Sequence, residues 1–267
     1  MAILRLSSVA NERVRRVLAL QRSTRRRVRD GLIVVEGTRL VESLVDGGVP
    51  VETLFFTVDY IRRDRTNEAL VARLATSAAL VEVTDSVMAA MSDTVTPQGI
   101  LAVAPLPQVP ARPGPQFVLV PDGVRDPGNL GTLLRAAWAS GVTRVLIPPG
   151  TADYTSAKVL RAGMGAHFHL AVQALSWDAI WDAIGPTPVW VAEARRGKPY
   201  WDVDWRGHVA LIIGGEASGA SRIARSAGCY VHIPMPGSAE SLNAAMAATI
   251  LSFEVARQRH ATDLARS

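Results

Sequence analysis

Apolar and polar positions alternate along the chain in patterns that predict strands and helices following one another in two blocks. In the first block the predicted strands cover residues 32–36, 51–58, 80–83 and 99–104. The predicted helices of this block cover residues 11–29, 38–46, 66–76 and 84–92. We therefore expect the first block to form a small α/β domain.

The second block repeats the alternation with longer apolar strands. Its predicted strands cover residues 117–121, 144–147, 170–172, 189–192, 208–213 and 230–233. Its predicted helices cover residues 130–140, 155–163, 177–184 and 241–259. Apolar strands that alternate with helices are typical of a parallel sheet covered on both faces, so we expect an α/β fold.

A proline-rich stretch separates the two blocks. Five of the chain's 16 prolines fall between Pro105 and Pro115. Proline removes backbone donors and stiffens the chain, which is typical of a linker. The predicted organisation is a domain over residues 1–105, a linker over 106–116 and a second domain over 117–267.

Composition narrows the class of protein. Hydrophobic residues make up 48% of the 267 positions and charged residues 20%, which argues against disorder. Cys229 is the single cysteine, so an internal disulfide and a multi-cysteine zinc site are excluded, and no metal site is expected. Because apolar runs stay short of the roughly 20 residues of a membrane span, we expect a soluble, cytoplasmic protein. An amphipathic transit peptide at the arginine-rich N-terminus is the alternative.

Positive charge is concentrated near the N-terminus. The net charge is +5, and the segment from Arg13 to Arg29 holds eight arginines and no acidic residue. A basic patch of this kind favours a nucleic-acid backbone, because each neutralised phosphate releases counterions. The candidate RNA-binding residues are Arg22, Arg25, Arg26 and Arg27. A solvated basic helix without a ligand is the alternative.

Three segments that follow apolar strands carry the candidate chemistry, at the sheet edge where ligands bind in open α/β folds. In residues 121–142, Asn129 is a predicted N-cap and Gly141 a predicted helix stop, while Arg135 projects away from the apolar stripe. Arg135 could bind a phosphate or a carboxylate. The alternative is a simple cap with a surface arginine.

The second and third segments are a small-residue loop and a capped helix. Residues 211–221, LIIGGEASGAS, contain Glu216 and three glycines that allow a ligand to approach the backbone closely. The loop matches neither a Walker loop nor a dinucleotide-binding loop. Residues 232–259 pass through a Pro-Gly loop into an alanine-rich helix that begins near Ser241-Leu242-Asn243. The alternative for residues 211–221 is a tight turn with a capping glutamate. The alternative for residues 232–259 is a capped helix with only a structural role.

Taken together, DPGNLGTLLRAA, IIGGEASGAS and IPMPGSAESLNAAMAA resemble the three ordered motifs of the SpoU/TrmH methyltransferases of the SPOUT class. The resemblance spans residues 117–259 and includes KVLRAGMGAHFHL. The first hundred residues resemble, more loosely, the substrate-binding domain of the ribosomal-RNA branch, which is similar to a small ribosomal protein. Pro236 and Ala217-Ser218 depart from common family residues.

The resemblance implies a fold, an activity and partners. It implies a parallel sheet with a deep trefoil knot that binds S-adenosylmethionine, and a homodimer whose active sites form across the interface. The implied reaction is methylation of a ribose 2′-hydroxyl in RNA, with large-subunit (23S) ribosomal RNA as the expected substrate because of the front domain.

The same resemblance assigns roles to individual residues. Asn129, Arg135, Glu216, Ser241 and Asn243 match the family's catalytic polar set. Gly214, Ile233 and Leu242 match positions that contact the cofactor. In the family's proposed mechanism the arginine acts as a base or as an electrostatic activator. Because a guanidinium that stays protonated is a poor base, we expect Arg135 to orient the hydroxyl through the adjacent phosphate, which leaves the proton acceptor open. Ser241 and Asn243 would position Arg135 and the ribose, and Glu216 would organise the cofactor loop or the neighbouring subunit.

Other functions fit parts of the pattern. An antibiotic-resistance ribosomal-RNA methyltransferase would have the same two-domain layout. A non-catalytic RNA-binding or ribosome-assembly factor would use the basic patch but would not need the polar set. A nucleotide-dependent α/β enzyme is disfavoured by the missing phosphate loops.

Overall fold

A computed structural model describes residues 3–112, 114–237 and 239–264. The strands, in chain order, are β1 (Leu4–Leu6), β2 (Leu32–Glu36), β3 (Thr53–Phe56), β4 (Ala79–Val83), β5 (Ile100–Pro105), β6 (Phe117–Asp122), β7 (Arg144–Ile147), β8 (Ala171–Ala174), β9 (Val189–Ala192), β10 (Lys198–Pro199), β11 (Val209–Gly214) and β12 (Cys229–His232). The helices are α1 (Glu12–Arg22), α2 (Thr24–Asp30), α3 (Thr38–Asp46), α4 (Val58–Arg63), α5 (Arg65–Leu74), α6 (Asp85–Met91), α7 (Pro127–Ala139), α8 (Ala157–Gly163), α9 (Trp177–Ile184), α10 (Arg222–Arg225) and α11 (Ala244–Leu264).

The contacts of the chain divide into two compact units. Residues up to Pro107, together with Thr155–Phe168, form the first unit, and Gln108–Tyr154 with residues from His169 onward form the second. The segment 155–168 comes from the second sequence block, yet Leu160 and Phe168 pack in the core of the first unit.

The first unit contains a mixed sheet in the order β1-β4-β3-β5-β2. β5 runs antiparallel to both of its neighbours, whereas β1, β4 and β3 pair in parallel. Alternate residues of β2 enter different cores, because successive side chains of a strand point to opposite faces. Ile33 and Val35 pack in one core, and Leu32 and Val34 pack in the other.

The second unit contains an entirely parallel sheet in the order β10-β12-β9-β11-β6-β7-β8. Every residue of β6 and all but the last of β11 are buried, so these strands are covered on both faces, as their apolar sequences predict. The coarse expectation of a parallel α/β domain is thus confirmed for the second block.

Several predicted elements differ in detail. The predicted helix over 11–29 is wrong as one element, because Ser23 adopts an extended conformation and its side chain caps a second helix by accepting from the Arg26 backbone N–H. The predicted strand over 51–58 ends at Phe56, because Thr57 caps the short helix α4. The short strands β1 and β10 were missed, since two or three residues give no measurable period.

Asn129 is not the N-cap of its helix, contrary to the sequence prediction. The cap is Asp126, whose side chain accepts from the Asn129 N–H at 2.8 Å, and Pro127 occupies the first helical position. Proline suits that position because its fixed φ is helical and the missing N–H would be unpaired there anyway. The predicted stop at Gly141 is confirmed by its φ of 78° directly after the Ser140 cap.

The predicted linker lies between β5 and β6. Residues 106–112 and 114–116 of the predicted linker contain neither helix nor strand, and Pro113 lies outside the described residues. Ser238 of the third motif also lies outside them. Among the described helices, none has both the length and the apolar character that a membrane crossing requires.

Candidate active site

The candidate site lies where neighbouring parallel strands of the second unit end. β9, β11 and β6 are adjacent in the sheet, and β12 pairs with β9 on its other side. Their carboxyl ends lie at one edge, so the loops after Asp122, Ala192, Gly214 and His232 emerge together. This edge of an open α/β sheet is the usual place for a ligand.

The loop after β11 is held in a tight turn by the end of β6. The Gly215 N–H donates to the Asp122 carbonyl at 2.8 Å, and the Ser221 N–H donates to the Asp122 carboxylate at 2.6 Å. A Cβ at Gly214 would lie 2.1 Å from the Ala220 nitrogen, a distance that neighbouring backbone atoms cannot accommodate. Glycine is therefore required there for close packing of the loop on itself.

A pocket of about 300 Å³ opens between these loops and α11. The proposed cofactor-contacting residues Gly214, Ile233 and Leu242 all line it. Glu216 and Ser241 of the proposed catalytic set line the same pocket. The structure therefore places five of the sequence-predicted site residues around one cavity.

Three polar side chains from the three motifs form a hydrogen-bonded chain beside the pocket. Asn243 donates from Nδ2 to Oδ1 of Asn129 at 3.0 Å, and Asn129 donates from Nδ2 to Oε1 of Glu216 at 2.6 Å. Oδ1 of Asn243 accepts from the backbone N–H groups of Ala245 and Met246, which caps α11. The motifs are thus joined by direct contact as well as by order in the sequence.

The direction of this chain is set at both ends. An ionised Glu216 only accepts hydrogen bonds, and the backbone N–H groups of α11 only donate them. Each asparagine amide therefore has one orientation that satisfies its neighbours. An amide side chain suits position 129, because it donates to Glu216 and accepts from Asn243 at once.

We expect Asn129→Asp to destabilise the protein in a pH-dependent way. Two adjacent carboxylates repel when both are charged, so the loss of stability should be smaller in acid, where carboxylates become protonated, than at pH 7. Because Glu216 is exposed, the loss at pH 7 should be roughly 1 kcal/mol. Denaturant unfolding at several pH values measures it.

Asn129→Ala is the matched control, because it removes the same hydrogen bonds without adding a charge. The loss of unfolding free energy in Asn129→Ala should change less with pH than the loss in Asn129→Asp, because Asn129→Ala removes a hydrogen bond to the carboxylate without adding a second negative charge. Equal pH profiles for the two variants would contradict the proposed contact with an ionised Glu216.

Within a single copy of the protein, Arg135 does not belong to the hydrogen-bonded group of Asn129, Glu216 and Asn243. It is exposed on α7, six residues and roughly 9 Å further along the helix axis than Asn129. Among the described residues, no hydrogen bond or ion pair joins its guanidinium to the pocket. Its side chain is therefore available to bind a group outside this chain.

Sequence reasoning missed several residues that shape the site. Asp122 and Asp126 fix the second loop and the start of α7. Glu193 and Arg225 line the pocket and form an ion pair at 2.7 Å. Glu193 could have been predicted as a site residue, because it directly follows the carboxyl end of a predicted strand. Arg225 could not, because its helix has a single turn and leaves no periodic pattern in the sequence.

The four candidate RNA-binding arginines do not share one environment. Arg22 and Arg25 are exposed, and Arg26 is partly exposed beside Asp30. Arg27 is only 4% exposed and donates to Thr155 Oγ1 at 2.8 Å and to the carbonyls of Leu20 and Gln21. Because its guanidinium is buried and donates to groups inside the first unit, Arg27 cannot contact RNA, and the prediction for this residue is wrong.

Within the described part of the chain, no group of three or more His, Cys, Asp or Glu side chains is arranged to hold a metal ion. The polar set at the pocket is built from amides, a carboxylate and a hydroxyl. It is suited to positioning a substrate by hydrogen bonds.

Comparison with protein families matches both units of the chain. Residues 116–253 match the SpoU rRNA Methylase family, and residues 11–102 match the MRM3-like substrate binding domain. The first match contains all three motifs and every residue of the hydrogen-bonded chain.

Individual relatives match over nearly the whole length. The 23S rRNA (guanosine(2553)-2′-O)-methyltransferase RlmP of Bacillus subtilis is 31% identical over 94% of this chain and 98% of its own. The mitochondrial rRNA methyltransferase 3 of Mus musculus is 32% identical over 93% of this chain and 72% of its own. The crystal structure of an AdoMet-bound rRNA methyltransferase from Sinorhizobium meliloti superposes with a TM-score of 0.80 and 27% identity, covering 96% of this chain and 98% of that one.

Proposed function

Because this chain belongs to the SpoU rRNA methylase family, we propose that it transfers the methyl group of S-adenosylmethionine to a ribose 2′-hydroxyl of ribosomal RNA. One observation carries the proposal: the three motifs converge on one pocket, with Asn129, Glu216 and Asn243 hydrogen-bonded beside it. Relatives that align end to end with this chain are named for this reaction.

The residues of the pocket fit the cofactor. Gly214 and Gly215 expose backbone next to a wall that includes Ile233 and Leu242, and such a site can enclose an aromatic base while its edges bond to backbone groups. S-adenosylmethionine, when bound, supplies a sulfonium-borne methyl group that is already a strong electrophile. Gly214, Ile233 and Leu242 would hold it.

The chain's own residues must align the hydroxyl and stabilise its developing charge. Ser241 lies in the pocket wall and would position the ribose together with Asn243. The side chain of Asn243 is held at both ends. Its Oδ1 accepts a hydrogen bond from a backbone N–H of α11, and its Nδ2 donates to Asn129. Arg135 would bind the phosphate next to the target ribose and orient the hydroxyl. Glu216 would hold the loop after β11 in place through Asn129.

We also propose a homodimer in which Arg135 of one copy serves the pocket of the other. The exposed position of Arg135 supports this, because one chain alone does not bring it to the cluster. A second support is an exposed apolar stripe on α11, formed by Met246, Ile250 and Phe253 at helical spacing. Such a stripe is buried in stable assemblies.

Mixing two inactive variants tests this arrangement. We expect Arg135→Ala and the pocket-filling variant Ala247→Phe each to be inactive alone. In a mixed dimer, the intact pocket of one copy would receive Arg135 from the other, so a mixture should recover about a quarter of wild-type sites. A mixture as inactive as its components would contradict the shared site.

The evidence for ribosomal RNA as the substrate comes from the first unit. Its match to the MRM3-like substrate binding domain and the exposed Arg22 and Arg25 support ribosomal-RNA binding. We propose the 23S molecule as the substrate, since RlmP of Bacillus subtilis is named for it. A trefoil knot, a likeness of the first unit to a ribosomal protein and a cytoplasmic location remain part of the proposal. The match to the SpoU rRNA Methylase family supports the knot.

Transfer of labelled methyl from S-adenosylmethionine to purified ribosomal RNA tests the function. We expect label in protein-free 23S RNA or in the large subunit and a background level in 16S RNA. A chain that binds both RNA and S-adenosylhomocysteine but transfers no methyl would instead fit a non-catalytic assembly factor.

A further inference from the structure

A second basic surface lies beside the pocket, on the catalytic unit itself. The segment 195–201 reads RRGKPYW and follows Glu193 and Ala194, both of which line the pocket. It crosses from the end of β9 to the edge strand β10, which pairs with β12. We call Arg195, Arg196, Lys198 and Trp201 the rim cluster.

The cations of the rim cluster are not neutralised. Arg195, Arg196 and Lys198 are exposed. Two acidic residues flank the segment: Glu193 is already paired with Arg225 at 2.7 Å, and Asp202 forms no ion pair with a described residue of the rim cluster. Across the described residues, neither Arg195 nor Lys198 has an ion pair or a side-chain hydrogen bond. Three positive charges therefore face solvent next to the mouth of the pocket.

Aromatic groups are interleaved with these cations. Arg196 lies over the ring of Tyr230 at 3.8 Å, which holds its guanidinium at the surface with its donors available. Trp201 is 53% exposed and meets Tyr200 edge to face at 5.0 Å between ring centroids. Its free face can accept a stacked base.

We propose that the rim cluster binds a single-stranded stretch of RNA flanking the target nucleotide, an inference that rests on the proposed function. Arg195, Arg196 and Lys198 bind backbone phosphates, and Trp201 stacks on a base. Exposed cations combined with exposed aromatic rings are the chemistry that single strands select. A target ribose at the pocket has a phosphate on each side, and the rim cluster directly follows the pocket-lining residues Glu193 and Ala194, so it lies within reach of the flanking strand.

The test measures RNA affinity against salt concentration with the full chain and a single-stranded RNA oligonucleotide of roughly ten nucleotides. Arg195→Ala and Lys198→Ala should each lower the slope of log affinity against log salt by roughly 0.7, the value for one phosphate contact on a single strand. Trp201→Ala should weaken binding roughly tenfold without changing the slope, and Trp201→Phe should restore most of it.

Arg206→Ala is the matched control. Arg206 is an exposed arginine of the same unit, but it precedes β11 at the opposite end of the strand, roughly 20 Å from Gly214. Its partner Asp204 has a pKa lowered to about 2, mainly by the hydrogen bond from Arg206. Removing Arg206 should leave the salt slope unchanged.

The outcomes separate the two proposals. Salt slopes equal for Arg195→Ala and Arg206→Ala, or a change in oligomeric state with unchanged RNA affinity, would overturn the rim cluster. With ribosomal RNA as substrate, the rim variants should raise KM about tenfold and preserve kcat, because the contact is made equally before and during methyl transfer. Failure of the wild type to methylate RNA would remove the proposed function, while the binding slopes would still decide the rim cluster.

Discussion

Arg135→Ala is expected to lower kcat by roughly 100- to 10,000-fold while leaving the affinity for S-adenosylhomocysteine unchanged. The guanidinium is exposed on α7 and makes no contact with the pocket lining of its own chain, so cofactor binding does not depend on it. Its proposed role is to hold the phosphate beside the reacting hydroxyl. Single-turnover methylation with saturating RNA measures kcat, and calorimetry measures cofactor affinity.

Two further variants show whether the loss of rate is specific to the guanidinium of Arg135. Arg135→Lys keeps the charge but loses the two-pronged contact, so it should recover only part of the rate. Arg206→Ala removes an exposed arginine far from the pocket and should retain wild-type turnover. Near-wild-type kcat for Arg135→Ala with cofactor affinity intact would show that the catalytic assignment of Arg135 is wrong.

Gly214→Ala should weaken S-adenosylhomocysteine binding roughly ten- to a hundredfold. The added Cβ would lie 2.1 Å from the Ala220 nitrogen and 2.3 Å from the Gly219 carbonyl carbon. Both neighbours are backbone, so the loop that lines the pocket must move as a whole. Calorimetry gives the affinity, and thermal unfolding reports any loss of stability.

Gly207→Ala is the control for the glycine substitution, because a Cβ there meets nothing within 4 Å. If Gly214→Ala does not fold, Ala247→Leu gives the same test, since Ala247 lines the pocket from α11 without a backbone clash. Wild-type affinity in both pocket variants would contradict the location of the cofactor site.

The general position of the site could be predicted from the sequence. Three motifs follow apolar strands, and parallel strands bring their carboxyl ends to one edge, so Asn129, Glu216 and Asn243 were expected near one another. The hydrogen-bond partners were not predictable. Asn129 meets residues 87 and 114 positions away, and the sequence pattern carries no information on the side-chain geometry of such pairs.

Two errors in the sequence predictions have different physical causes, one local and one long-range. Asp126 and Asn129 are both good capping residues, and only the position of Pro127 at the first turn decides between them. Arg27 belongs to a charge run in which all arginines look alike. Its burial depends on Thr155, 128 residues later, in a segment that folds with the first unit. Tertiary contacts of this range cannot be read from local periodicity.

The chemical form of the methylated product tests the central claim most directly. Ribosomal RNA labelled by the protein with S-adenosylmethionine is hydrolysed in alkali, which cleaves each phosphodiester through the neighbouring 2′-oxygen. A methyl group on that oxygen blocks cleavage, so we expect label in alkali-stable dinucleotides, formed at least roughly 100-fold more slowly with Arg135→Ala. Label in mononucleotides, as base methylation would give, would contradict this expectation.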